Sequence, residues 1–199
     1  DFFDPHEPWD PPEYMVRKYD PDYAGEAMLH ANSGRADDYT PEELRNLRAH
    51  YCAEAELVDR WVGRVFEKID DLALWNNSIV VFTSDHGTSL GEHNRTGKAN
   101  VNDRDDRIWP IYPEVAHVPF LVAAPGLAGG RSVSGFAQPV DILPTLLELA
   151  EVDQAPPEPL HGHSFARALG GETADTGVDC AVSGTFLRLT EDDRIPAKA

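Results

Sequence analysis

The fold of this chain is decided by the stretch Ser78-Ile-Val-Val-Phe-Thr-Ser-Asp85-His86-Gly87. Its continuous apolar run, rich in β-branched residues, predicts a buried strand of a parallel or mixed sheet. The strand ends on a carboxylate, an imidazole and a glycine. Ligands of open α/β sheets lie beyond the carboxyl ends of the strands, so we expect a ligand site at Asp85 and His86.

A lysine follows this strand and suggests the kind of ligand. Lys98 stands thirteen positions after Asp85, close enough in sequence to return over the same site with a compact positive charge. Asp and His side chains both bind divalent cations. Each residue also has an ordinary interpretation: a turn carboxylate, a hydrogen-bonded histidine or a solvated lysine. Together, a metal and a lysine suit an anionic oxyester.

Five motifs in order resemble one family, the sulfatases of the alkaline-phosphatase-like superfamily. Val80–Lys98 (VVFTSDHGTSLGEHNRTGK) is similar to the family's metal- and anion-binding segment, and Asp1–Trp9 (DFFDPHEPW) to its Pro-His-x-Pro motif with a following aromatic residue. The other three are Val118–Gly126 (VPFLVAAPG), Gln138–Leu147 (QPVDILPTLL) and Leu160–Phe165 (LHGHSF). Their order holds from residue 1 to about residue 170.

The resemblance implies a fold and a division of the chain. We expect an α/β protein, part of an alkaline-phosphatase-like mixed sheet sandwiched by helices. Residues 1–170 would be the carboxy-terminal part of the catalytic domain, and residues 171–199 the start of a small carboxy-terminal β subdomain. Neither Cys52 nor Cys180 is followed by x-Pro-x-Arg, the family pattern around its formylglycine nucleophile. We therefore expect the amino-terminal half of the same enzyme to supply the nucleophile and the rest of the metal shell.

The resemblance also implies roles for four residues. Asp85 and His86 would bind the metal, and Lys98 and His6 would be catalytic groups on the sulfate oxygens. The cofactor would be a divalent cation, calcium for a sulfatase, and the substrate a sulfated small molecule or glycan. Nearby residues are expected to hold loops in place or to be structural; these are Glu92, His93, His161 and His163.

Two other functions are left open by the sequence. The same Asp-His pair would serve a phosphonate monoester or phosphodiester hydrolase of the superfamily, with Mn²⁺ or Zn²⁺. A non-catalytic remnant that acts as an interaction domain is the other alternative. Two positions depart from the sulfatase pattern: His117 stands where arginine is common, and Asn94 where glycine is usual. For a sulfatase, we expect the 199-residue chain alone to be inactive and to bind metal weakly.

Composition excludes some partners. The formal net charge of −18 argues against nucleic acid and anionic membrane surfaces, because phosphate binding needs clustered Lys and Arg. No apolar run approaches the roughly 20 residues of a membrane span. Cys52 and Cys180 have no metal-type spacing, and a disulfide between them is only a possibility.

The remaining elements follow from periodicity and turn residues. Thr40-Pro-Glu-Glu43 predicts a capped start for an amphipathic helix to about residue 73, with Trp61 and Phe66 in the core. We also expect a loop over 99–114, a strand at Val118–Ala124, a helix capped by Asp141 and ending near Ala150, a helix at Ser164–Leu169, and a hairpin of Asp179–Val182 with Thr185–Leu189.

Overall fold

The computed structural model describes residues 2–98, 110–153, 159–173 and 175–183. Its helices are α1 (Glu13–Val16), α2 (Pro41–Asp71), α3 (Pro113–Ala116), α4 (Pro139–Leu149) and α5 (Ala166–Gly170). Its strands are β1 (Val80–Thr83), β2 (Ser89–Leu90), β3 (Thr96–Gly97) and β4 (Phe120–Ala123). Single 3₁₀ turns lie at Ala36–Asp38, Leu74–Asn76 and Glu92–Asn94. Within these ranges no helix is both long and apolar enough to cross a membrane.

The chain divides into two compact units. The first comprises Asp1–Lys68, His86–His117 and Gly184–Ala199, the last of which lies outside the described residues. The second comprises Ile69–Asp85 and Val118–Ser183. Both candidate catalytic residues, His6 and Lys98, therefore belong to the first unit.

The first unit is built on α2. Its start matches the predicted capping box: the Thr40 amide donates to Glu43 Oε2 at 2.8 Å, and the Glu43 amide donates to Thr40 Oγ1 at 3.2 Å. The core cluster joins Met15 and Val16 of α1 to one face of α2. On that face Ala49 and Ala53 are buried and Leu57 is partly buried. Small residues on α2 thus allow α1 to approach closely.

The second unit contains an antiparallel pair, β1 with β4. Val80 stands opposite Ala123, and Thr83 opposite Phe120. The pairing is antiparallel rather than parallel, and the predicted burial of β1 is wrong for its carboxyl half. Phe82 is 37% exposed, and its partner Leu121 is 58% exposed. The described residues provide only two strands in this sheet, so its faces remain partly uncovered there.

Helix α4 begins earlier than the sequence predicts. Gln138 is the N-cap, and its amide donates to Oδ2 of Asp141 at 2.8 Å, so Asp141 completes a capping box from inside the helix. The prediction of Asp141 as the cap is therefore wrong by three residues. The Oδ1 atom of Asp141 accepts the His163 amide at 2.8 Å, which gives the buried carboxylate a second partner. This contact ties the backbone of His163 to α4.

Two further expectations are corrected. Trp61 is 56% exposed and Phe66 is 36% exposed, so neither belongs to the core of the described residues. No strand forms at 179–182, because the Val182 amide and carbonyl both pair with the Gln138 side chain, at 3.1 and 2.7 Å. The partner strand of that hairpin, 185–189, and most of the 99–114 loop lie outside the described residues. Cys52 and Cys180 are both free thiols.

Candidate active site

The loop that carries His6 is organised around a buried tryptophan. Trp9 is only 1% exposed, and its indole Nε1 donates to the Pro5 carbonyl at 2.9 Å. Its amide donates to the Leu29 carbonyl at 2.8 Å. The Asp4–Pro5 and Glu7–Pro8 peptide bonds on either side of His6 are both cis. Burial of the indole and these two hydrogen bonds fix the course of the loop on both sides of His6.

Two residues of helix α2 contact this loop at Trp9. His50, 5% exposed, lies with Nδ1 at 2.9 Å from the Trp9 carbonyl oxygen. Because a carbonyl only accepts, His50 Nδ1 carries the donated proton. Tyr51 packs its ring edge-on against Trp9, with centroids 5.3 Å apart. The position of His6 is thus linked to the helix by contacts between residues about forty positions apart.

Lys98 directly follows the short β2–β3 hairpin. Buried side chains and hydrogen bonds hold this hairpin in place, as they do the loop that carries His6. Thr96 is completely buried, its hydroxyl bonds to Asn32 Oδ1, and its amide donates to the Gly34 carbonyl at 3.0 Å. Gly97 has φ of +88°, and a Cβ there would come within 2.8 Å of the Ser33 Cα. Only glycine combines this backbone conformation with so close an approach. The backbone before Lys98 is therefore fixed.

The turn inside this hairpin explains one departure from the sulfatase pattern. Asn94 has φ of 59°, in the left-handed region where asparagine is tolerated. Its side-chain oxygen accepts the Asp37 amide at 2.9 Å, and its Nδ2 donates to Asp37 Oδ2 at 3.1 Å. Hydrogen bonds from Arg35, and then from Asn94, lower the pKa of Asp37 to about 2. Asparagine thus keeps the turn that glycine would allow and adds a tie to residue 37.

The two candidate catalytic residues meet. Lys98 Nζ lies 2.7 Å from His6 Nε2, although 92 positions separate them in sequence. An ammonium group only donates, so Nε2 accepts. The other ring nitrogen, Nδ1, lies 2.8 Å from the Glu7 carbonyl oxygen, which only accepts, so Nδ1 donates. Both contacts require the same form, a neutral imidazole with its proton on Nδ1.

A carboxylate stands on the far side of this imidazole. Glu7 Oε2 lies 3.6 Å from His6 Nδ1, and the Glu7 side chain is 17% exposed whereas that of His6 is 40% exposed. The Phe3 ring covers His6 at 4.7 Å between centroids. Lys98, His6 and Glu7 therefore form a row of positive, titratable and negative groups, and the imidazole remains accessible to a solute.

The candidate metal ligands follow β1 directly. The division between the two units falls between Asp85 and His86. Asp85 is exposed, and Ser84 Oγ lies 3.4 Å from its Oδ1. His86 Nδ1 lies 3.0 Å from the Gly87 carbonyl oxygen, which only accepts, so Nδ1 donates. A neutral imidazole with its other nitrogen hydrogen-bonded is the form in which histidine binds metals.

The segment after the Asp-His-Gly turn is held against α3. The Gly87 amide donates to the Val115 carbonyl at 2.8 Å, and a Cβ at Gly87 would lie 2.1 Å from the Glu114 carbonyl oxygen. His93 stacks on Tyr112 at 3.8 Å and pairs with Glu114 at 3.4 Å between Nε2 and Oε1. These contacts agree with the expectation that His93 holds its loop in place.

The residues present supply only part of a metal shell. Within the described ranges, no group of three or more His, Cys, Asp or Glu side chains is placed to hold a metal ion. The carboxylate of Asp85 suits calcium or manganese, whereas an imidazole ligand such as His86 is more common for zinc. The donors fit a divalent cation in kind but not in number.

Sequence reasoning missed the residues that position the site. Trp9 is part of the motif that contains His6, but His50 lies in an ordinary context for a helix, and no sequence pattern pairs the two residues. Glu7 occupies the variable position of the Pro-His-x-Pro motif, so no sequence pattern predicted that its side chain would lie beside the imidazole. The local motif predicted the groups that face a ligand, and only the tertiary structure shows what supports them.

Comparison with known proteins places the chain in a family. The sulfatase family model matches residues 2–152. This chain belongs to the sulfatase family. The expected α/β fold of the alkaline-phosphatase-like type is confirmed by its structural neighbours.

Its relatives include arylsulfatases and a multifunctional protein of the alkaline phosphatase superfamily. Arylsulfatase K of Danio rerio is 37% identical over 127 residues, which is 64% of this chain and 22% of that protein. The multifunctional alkaline phosphatase superfamily protein PehA of Trinickia caryophylli is 31% identical over 122 residues, 61% of this chain and 22% of that protein. The matches thus span about a fifth of the length of these curated relatives.

Solved structures also resemble this chain. The phosphonate monoester hydrolase of Agrobacterium radiobacter superposes with a TM-score of 0.66 at 27% identity, over 85% of this chain and 37% of that one. A protein solved in complex with its substrate D-glucosamine-2-N,6-O-disulfate superposes with a TM-score of 0.56 at 27% identity, over 71% of this chain and 27% of that one.

Proposed function

We propose that this chain carries part of the active site of a sulfuric ester hydrolase, in which Lys98 and His6 hold the oxygens of a sulfate ester. The observation that supports this most directly is the 2.7 Å contact between Lys98 Nζ and His6 Nε2. Two residues nominated separately from distant motifs meet at one accessible point. Membership of the sulfatase family supports the same chemistry.

The chemical role of the pair is electrostatic. Attack at sulfur moves negative charge onto the sulfuryl oxygens and the departing alcohol oxygen. Donors fixed beforehand at those positions stabilise the transition state without reorganising during the reaction. In a chain of net charge −18, the Lys98 ammonium is a local positive centre that would focus an anion on the site.

The proposed active site also contains a divalent cation, which would be calcium in a sulfatase. Asp85 and His86 would supply two of its ligands, and the ion would offset negative charge on the nucleophile and one substrate oxygen. The remaining ligands and the nucleophile would come from further polypeptide of the same enzyme. Two facts support this: the described donors do not form a group of three, and the matches span 22% of each relative.

A phosphonate monoester hydrolase is the second candidate, favoured by a specific observation. Two phosphonate monoester hydrolases superpose on this chain with TM-scores of 0.66 and 0.59. A tetrahedral phosphonate ester also presents anionic oxygens to a lysine and a histidine, and Mn²⁺ or Zn²⁺ would then replace calcium. The sulfate ester remains our first choice because arylsulfatases are among the sequence relatives at up to 37% identity.

The substrate of the sulfatase would be a sulfated glycan or a sulfated small molecule. The support is by analogy: a structural neighbour was solved with a disulfated glucosamine as its substrate. Lys98 and His6 would contact the sulfate group, which both substrate classes share. The rest of the substrate would be recognised elsewhere.

The test compares two lysine variants in the polypeptide encoded by the full reading frame around this chain. Lys98→Met should lower kcat/KM for an aryl sulfate by about 10²–10³, the loss seen when one oxyanion donor is removed. Lys18→Met is the matched control, since Lys18 pairs with Glu56 on an exposed surface. It should leave kcat/KM unchanged.

The same assay separates the alternatives. If Lys98→Met keeps more than half of the activity, the assignment fails. Faster turnover of an aryl phosphonate monoester than of an aryl sulfate would favour the second candidate. The purified 199-residue chain should turn over neither ester and should bind Ca²⁺ weakly; turnover by it would contradict the need for further polypeptide.

A further inference from the structure

One face of helix α2 joins a buried carboxylate to an uncovered apolar stripe. Glu54, Val58, Trp61 and Val65 follow one another at intervals of four, three and four residues, so their side chains lie along one side of the helix. We call these four residues the Glu54 face. Glu54 is 3% exposed, whereas Trp61 is 56% and Val65 is 45% exposed. The face is thus enclosed at its amino-terminal end and open to solvent at the other.

The carboxylate at the enclosed end lies in a negative environment. Oε2 of Glu54 is buried and has no hydrogen-bond partner among the residues that the structure describes. Burial raises the pKa of the Glu54 carboxyl, and the charges of Asp4 and Asp10 raise it further, which places both aspartates close to it. A buried acceptor surrounded by negative charge is stabilised most by a positively charged donor.

The basic side chains nearest to this part of α2 do not supply that donor. Arg60 and Lys18 both pair with Glu56, which stands two positions after Glu54 and therefore on another side of the helix. Both basic side chains are about half exposed, at 48% and 49%. Within the described part of the chain, the positive charge of this region thus points away from the Glu54 face.

We propose that the Glu54 face is the docking surface for a segment of the further polypeptide of the same enzyme. This segment covers Trp61 and Val65 with apolar side chains and brings a basic side chain to the Glu54 carboxylate. The inference rests on the proposed function, from which it takes the further polypeptide that completes the enzyme.

The geometry of the face specifies this partner. An arginine suits the position, since a guanidinium group is more weakly hydrated than an ammonium group and binds both oxygens of one carboxylate. Seven residues separate Glu54 from Trp61, which is about 10 Å along a helix axis. The docked segment would therefore carry its basic residue about 10 Å from its main apolar contact.

Two observations favour this occupant over a second copy of the chain. Two chains that each carry a formal net charge of −18 repel each other. The sequence matches span 22% of arylsulfatase K of Danio rerio and of PehA, so proteins of this kind have ample polypeptide to supply a covering segment.

The first experiment compares the polypeptide encoded by the full reading frame around this chain with the 199-residue chain. Hydroxyl-radical oxidation, measured by mass spectrometry, reports the solvent access of single side chains. In the 199-residue chain, Trp61 should be oxidised much faster than Trp9, which is 1% exposed. In the longer polypeptide, the oxidation rate of Trp61 should fall to that of Trp9, which serves as the internal reference.

The second experiment tests the charge with Glu54→Gln. This variant should lower the Tm of the longer polypeptide by at least about 3 °C, because a buried basic group would lose its partner. In the 199-residue chain the same substitution should raise the Tm. Glu67→Gln is the matched control, since the Glu67 side chain is 64% exposed, and it should shift neither Tm by more than about 1 °C.

A chelator distinguishes a basic side chain from a metal ion at Glu54. EDTA would remove a cation bound at Asp85 and His86 from the unmodified polypeptide and from the Glu54→Gln variant alike. The Tm difference between these two proteins should therefore persist in EDTA. Its disappearance would show that a metal ion occupies the Glu54 face and would overturn the proposal.

Three further outcomes also overturn it. One is equally fast oxidation of Trp61 in both polypeptides. Another is a Glu54→Gln variant of the longer polypeptide with an unchanged or higher Tm. The third is protection of Trp61 in the 199-residue chain that increases with its concentration, which would indicate a second copy. None of these measurements involves turnover, so the proposed function is decided separately by the Lys98→Met variant.

Discussion

The two halves of helix α2 have opposite environments. Residues 41–56 pack against α1 and the loop that carries His6. In this half, Leu47 and Ala53 are fully buried, and His50 is 5% exposed. Residues 58–68 carry apolar side chains in the same helical periodicity, yet Trp61 is 56% exposed and Val65 is 45% exposed. One continuous helix thus has an anchoring half and an uncovered half.

The difference teaches what periodicity measures. Apolar residues at helical spacing mark a face that can be buried, but the partner that buries it is not part of the pattern. In residues 41–56 the partners are α1 and the Trp9 loop, and these contacts position His6. For residues 58–68, the described part of the chain supplies no comparable cover.

The largest contrast is expected between two tryptophans. Trp9→Ala removes a buried indole from the His6 loop and should lower the free energy of unfolding by about 3–5 kcal/mol. Trp61→Ala changes an exposed indole and should alter it by less than about 0.5 kcal/mol. Urea denaturation of the 199-residue chain, followed by circular dichroism, measures both. Equal losses would show that residues 58–68 are covered in solution, by a second copy of the chain for example.

Two glycines provide the next contrast, with opposite signs. Gly97→Ala forces a left-handed φ and a close approach to Ser33, so the free energy of unfolding should fall by about 1–3 kcal/mol. Gly63 lies in the exposed half of α2, and a Cβ there would meet nothing within 4 Å. Gly63→Ala should therefore raise the free energy of unfolding by about 0.5–1 kcal/mol, the usual helical preference for alanine.

Sulfate binding separates a local effect of Gly97→Ala from a global one. Because Gly97 fixes the backbone before Lys98, this variant should bind sulfate more weakly even where it is folded. Gly63→Ala should bind as the unmodified chain does. Unchanged sulfate affinity in folded Gly97→Ala would show that the hairpin does not position Lys98.

The sequence predicted the local part of this organisation well. The capping box at Thr40 and Glu43, the extent of α2 and the positions of β1 and β4 are confirmed, because neighbouring residues determine them. The family motifs nominated His6 and Lys98, and the structure brings them together. Their chemical roles, the metal ligands and the division at residue 171 stay predictions.

What the sequence could not give depends on distant partners. The exposure of Trp61 and Phe82 follows from which surfaces cover them, and no local pattern contains that. The backbone of Val182 pairs with a side chain, that of Gln138, 44 positions away. A prediction of strand pairing from alternation alone has no access to such a contact.

A buried carboxylate gives the smallest and most specific contrast. Glu54 on α2 is 3% exposed, and its Oε2 has no hydrogen-bond partner among the residues that the structure describes. Burial raises the pKa of the Glu54 carboxyl, and the negative charges of Asp4 and Asp10 raise it further. The charged form is thus disfavoured in the folded chain, just beneath the loop that carries His6. At neutral pH, this residue costs stability in the half of α2 that otherwise anchors the site.

Glu54→Gln should therefore stabilise the chain by about 1 kcal/mol at pH 7, the order of the penalty for an unsatisfied buried polar group. A raised folded-state pKa means that the folded chain holds its proton to higher pH than the unfolded chain does. The penalty is then absent below the unfolded pKa and appears as pH rises through the folded value. The advantage of Glu54→Gln should accordingly vanish near pH 4. Glu67→Gln, at an exposed position of residues 58–68, should change stability by less than about 0.5 kcal/mol at either pH. If Glu54→Gln gave the same gain at pH 4 and pH 7, the charge on Glu54 would not be its cause, and the carboxylate would have a partner in solution.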